Sequence, residues 1–102
     1  MKWYGRLYYG KTAAHSRFRI RSDIRKGKVR PATYVVLLRD EDGAPLEMYH
    51  NLMLYTEPLK SCEYTIIGLA EGRAEGNEII RRIAEGAYKY NRCSDFRAYL
   101  MR

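Results

Sequence analysis

The segment RPATYVVLLRDEDGAPLEMYHNLMLY, Arg30 to Tyr55, constrains the fold more than any other part of the chain. Thr33 to Leu38 is a run of β-branched and apolar residues, Asp42-Gly43 is a turn dipeptide, and Leu46 to Leu54 resumes an extended pattern. Together these predict a β-hairpin, so the chain is built around a sheet. With 102 residues, 46% of them hydrophobic, residues 1–102 suffice for a single compact domain with one modest core.

The flanking segments supply further elements. Trp3 to Tyr9 is aromatic and β-favouring and ends at Gly10, which predicts a first strand. Glu57-Pro58 breaks the chain before another strand, Glu63 to Leu69, through Tyr64, Ile66 and Ile67. From Ala74 to Asn91 the period changes: Gly76, Ile80, Ile83, Ala87 and Tyr90 recur at three or four residues, the stripe of an amphipathic helix packed on a sheet. Gly86 costs that helix about 1 kcal/mol relative to alanine and points to a close backbone approach there. The short tail Phe96 to Met101 reads as a final edge strand.

SRFRIRSDIRKGKVR, Ser16 to Arg30, admits two structures. Phe18, Ile20 and Ile24 share the parity of a strand face, while Ile20 and Ile24 are also one helical turn apart. Arg25 and Lys26 suit the negative end of a helix, and Gly27 sits where a C-terminal cap belongs. Helix is the better choice, because it completes the order β-α-β-β-β-α-β. That is an α+β fold, a two-layer sandwich with a mainly antiparallel sheet of four to five strands and two helices.

YGRLYYG, YVVLL, YTIIGLAEG before a helix, and FRAYL at the end together resemble a family of small uncharacterised bacterial proteins of about this length. The resemblance implies one compact cytoplasmic domain. It implies no catalytic or binding residue.

The net charge of +7 is concentrated: residues 17–30 hold seven basic residues and one acid, Asp23, and so carry +6 of it. This is the footprint expected of a face that meets an acidic partner. Its members are Arg17, Arg19, Arg21, Arg25, Lys26, Lys28 and Arg30, with Trp3, Tyr8 and Phe18 as rings that would stack on bases if exposed. The expected function is a non-enzymatic binding module for an acidic protein, or a homodimer, since tyrosine and arginine concentrate at interface centres. Sequence-independent nucleic-acid binding is the alternative, and a small nucleotide-binding enzyme the third reading.

Motifs with a catalytic mechanism fail in context. GRLYYGKT, Gly5 to Thr12, matches the P-loop pattern, yet only Met1 to Tyr4 precede it, and Arg6, Leu7, Tyr8 and Tyr9 alternate like a strand. Gly68, Gly72 and Gly76 precede a helix, where phosphates bind, but Glu71, Glu75 and Glu78 would repel one, and a flexible connection explains the glycines. Leu7 to Gly10 is similar to the start of the first RNA-recognition signature, and LEMYHNLMLY lacks the second. Asp40, Glu41 and Asp42 are explained by a polar hairpin tip. His15, His50, Cys62 and Cys93 lack metal spacing, and His50 with Cys62 would form a thiol-base pair only if the fold joined them. No catalytic residue, metal or cofactor is expected. No apolar run approaches the about 20 residues of a membrane span, so a cytoplasmic location without membrane contact is the expectation.

Overall fold

The computed structural model describes residues 1–92 and 95–102, leaving Cys93 outside the described residues. In chain order the elements are β1 (Lys2–Tyr9), α1 (Arg17–Arg25), β2 (Thr33–Arg39), β3 (Leu46–His50), β4 (Tyr64–Glu71), α2 (Arg73–Asn91) and α3 (Phe96–Leu100). Short 3-10 turns lie at Ala13–Ser16, Asn51–Tyr55 and Leu59–Ser61.

The expected hairpin is present: Tyr34 faces His50 and Leu38 faces Leu46 across an antiparallel β2–β3 pair. β4 lies on the other side of β2, also antiparallel, and β1 pairs parallel to β4, giving the order β1-β4-β2-β3. The fold is therefore α+β with a mostly antiparallel four-stranded sheet, and the basic segment is helical. Against β2, β4 shifts register: Val36 faces Gly68 but Leu37 faces Ile66. The shift changes the parity of β4, so that Tyr64, Ile66 and Leu69 pack on one face and Ile67 and Ala70 on the other.

Both faces of the sheet are covered. On one, Ile20 and Ile24 of α1 join Ala13, Leu54 and Leu59 from the 3-10 turns against Val35, Leu37, Ile66 and Leu69. On the other, Ile79 and Ile83 of α2 and Leu100 of α3 pack on Val36, Leu38 and Ile67. Each of the buried Ile, Leu and Val side chains contributes about 1.5–3 kcal/mol of apolar transfer. Gly86 does mark a close approach, since a Cβ there would overlap the Tyr99 hydroxyl.

Three segments differ from expectation. Phe96 to Met101 is not an edge strand but the helix α3, because the Asp95 carboxylate accepts from the Ala98 N–H at 3.1 Å as an N-cap. Phe96 and Leu100, one turn apart, then reach the same apolar cluster. Leu46 to Leu54 is extended only as far as His50. There Asn51, fully buried, accepts from the Arg30 N–H at 2.8 Å and donates to the Arg30 and Thr33 carbonyls at 2.6 and 2.8 Å. Those three bonds fasten the turn after β3 to the entry of β2, and the strand pattern gives way to a 3-10 turn. Between β4 and α2 there is no flexible glycine connection: Gly72, at φ 95°, is the whole link.

Asn51→Ala removes a buried side chain whose partners are all main-chain groups. It is expected to lower the unfolding free energy by about 2–4 kcal/mol, read as a shift of the urea midpoint. A loss below about 1 kcal/mol would show that these groups find water instead.

Candidate functional site

α1 buries Ile20 and Ile24, and that choice distributes the basic residues around its axis. Arg17, Arg21 and Arg25 recur every fourth residue and form one row along a flank of α1, of which Arg21 and Arg25 adjoin β1. Two of them converge on one ring: the guanidinium carbons of Arg21 and Arg25 lie 5.3 and 5.5 Å from the centroid of Trp3. Each such contact is worth about 0.5–1 kcal/mol at an exposed site and holds the side chain in place. Arg17 lies 5.0 Å over the ring of Phe18, which is 72% exposed. By the same helical spacing Arg19 and Lys26 fall on another flank, and Lys28 is exposed beyond the helix end.

Among the described residues, Arg17, Arg19, Arg21, Arg25, Lys26 and Lys28 make no ion pair with a carboxylate of the chain. Two expected members do not belong with them. Arg30 is paired inside the molecule, to Asp23 at 2.8 Å and Glu71 at 3.1 Å, and its Nε donates to the Thr33 hydroxyl at 2.9 Å. It staples α1 to β4 and β2. Tyr8 lies on the opposite face of the sheet, where it stacks with Tyr4 at 6.5 Å, because its parity in β1 differs from that of Trp3. The three candidate rings therefore do not form one stacking platform.

The P-loop-like segment has an unexpected resolution. Gly5 to Tyr9 belongs to β1, and the residues after it do turn their main-chain N–H groups toward an anion, which is the chain's own. Glu75, in the first turn of α2, accepts from the N–H groups of Thr12 at 2.9 Å, Ala13 at 3.4 Å and Glu71 at 3.0 Å. Gly10 is required here, since a Cβ would overlap that carboxylate. Burial by itself pushes the Glu75 carboxyl up. The hydrogen bonds from Thr12, Glu71 and Ala13 outweigh it and hold the group below its ordinary value of 4.5. In the sequence Glu75 reads as an acid that would repel a phosphate; in the folded chain it accepts from the N–H groups that follow the P-loop-like strand. An acid in the first turn was the one available signal, and it does not reveal a partner 63 positions away.

The remaining candidates have local roles. The His50 ring accepts from the Leu52 N–H at Nδ1 and bonds the Pro31 carbonyl through Nε2 at 2.8 Å. Asp40 is more than a hairpin-tip acid: it pairs with Lys2 at 2.7 Å and Arg97 at 3.6 Å. Cys62 is a free thiol with the Arg39 guanidinium 3.9 Å away. Among the described residues no three His, Cys, Asp or Glu side chains form a metal cluster, and no helix is long and apolar enough to cross a membrane. No family model, no curated protein and no solved structure matches this chain. Function must be read from the side chains themselves.

Glu75→Gln is expected to cost about 1–3 kcal/mol of stability near pH 7, because three main-chain donors lose a charged acceptor. The folded carboxyl titrates below 4.5, so the wild-type advantage is complete above that value and shrinks as the pH falls through it toward the lowered folded pKa. Urea midpoints of both proteins from about pH 7 to about pH 3 test this; a gap that does not narrow on acidification would refute it.

Proposed function

We propose that this chain is a non-enzymatic binding module that recognises an acidic protein partner through the arginine row of α1. One observation carries the reading: Arg17, Arg21 and Arg25 are ordered on one flank, two of them by Trp3, without an internal counter-ion among the described residues. The nearby carboxylates of Asp23 and Glu71 are held by Arg30, and that of Glu75 by main-chain donors. A positive field of this kind steers and orients a partner of opposite sign.

Nucleic acid is the second reading, favoured by the exposed Phe18 beside Arg17. Against it, the ring of Trp3 is already covered by two guanidiniums, and Tyr8 faces the other way. A two-fold dimer through the same face would set like charges opposite each other, which disfavours it.

Fluorescence anisotropy with labelled poly-L-glutamate and with a single-stranded oligothymidylate separates the two. The triple variant Arg17→Gln, Arg21→Gln, Arg25→Gln is expected to weaken poly-L-glutamate binding about tenfold or more, and the control Arg81→Gln, Arg82→Gln, Lys89→Gln much less. Binding of the oligonucleotide alone, with a log-log salt slope near about −4 for six contacts, would replace the acidic-protein reading by the nucleic-acid one.

A further inference from the structure

β1 is an outer strand: among the described residues it pairs with β4 alone. Its register against β4 slips: Trp3 faces Ile66 and Tyr8 faces Gly68, so Tyr4 to Leu7 stand opposite the single residue Ile67. The strand bows there, and between it and α1 lies a cleft of about 390 Å³ walled by Trp3, Tyr4, Arg6, Leu7, Tyr9 and Arg21. Trp3, Leu7 and Tyr9 of the lining face α1, whereas Tyr4 packs on the opposite side of the sheet, so the cleft adjoins the outer strand where its register slips. Gly5, in its floor, is exposed, and a Cβ there would meet nothing within 4 Å.

Two features define what the cleft accepts. It carries the guanidiniums of Arg6 and Arg21 and no carboxylate. The Arg21 guanidinium lies against the Trp3 ring, which holds it in the wall of the cleft without neutralising it. A carboxylate is the matching acceptor, since a guanidinium fork binds it through two parallel N–H donors.

We propose that this cleft receives an extended acidic segment of the partner protein, which adds to the sheet beside β1 and places a carboxylate between Arg6 and Arg21. The inference rests on the acidic-partner reading and narrows it to one edge and one conformation. A strand margin offers alternating main-chain N–H and C=O groups, which a peptide backbone can pair and a phosphate backbone cannot. Alternate side chains of the added strand point to the same face, so every second residue would turn toward α1 and its arginines.

The probe is a fluorescein-labelled peptide of about ten residues with alternating Glu and Val, compared with the same peptide N-methylated at every second amide. The peptide is expected to bind, N-methylation to weaken it about tenfold, and Arg21→Gln and Arg6→Gln about fivefold each. Arg6 is exposed, so its variant reports on binding even if Arg21→Gln disturbs the fold. Equal binding of both peptides and indifference to Arg6→Gln, with poly-L-glutamate still bound through the α1 row, would overturn the edge-strand inference and leave the acidic-partner reading standing. Failure of every acidic probe to bind would overturn both.

Discussion

Every residue of β4 from Tyr64 to Ala70 is buried, and a strand without a wet face must be covered on both sides. The remaining architecture follows from that requirement. α2 covers one face directly, because Gly72 alone separates it from β4, and α3 continues that layer. The other face falls to α1 and the 3-10 turns. Once Ile20 and Ile24 point inward, the arginines at every fourth position share one flank of α1, of which Arg21 and Arg25 adjoin β1. The basic row is thus a consequence of where apolar cover was needed.

Charge in this protein is sorted by partner more than by sign. Arg30, Arg39 and Arg81 are matched to carboxylates, Glu75 to main-chain N–H groups, and Asp40 to Lys2 and Arg97. Arginines of the α1 row are matched instead to rings. Contact with a π face fixes a guanidinium without neutralising it. Such a group stays ordered and charged, two properties that rarely coexist on a flexible surface side chain.

Much of the fold was legible because its signals are local. The hairpin stood out from Thr33 to Leu38 and Asp42-Gly43, and α2 from the spacing of Ile80, Ile83 and Ala87. α1 followed from Ile20, Ile24 and Gly27. The tail was misread because five residues show barely one helical turn, although Asp95 before Phe96 was a usable capping signal. At the site, parity alone separates Trp3 from Tyr8, since β1 alternates. The fate of Arg30 was beyond reach, because Glu71 is 41 positions away and only the completed sheet brings them together. The clasp of Glu75 on Thr12 was hidden for the same reason.

The strand order also has a consequence for how the molecule comes into being. Among the described residues β1 pairs with β4 and with no other strand, so its aromatic residues have no native neighbour in the sheet until β4, ending at residue 71, is in place. Closing that parallel pair joins segments far apart in the chain, an entropically slow event of the kind that governs folding rates. Until it happens, the aromatic residues of β1 lack the sheet neighbour that covers them in the folded protein.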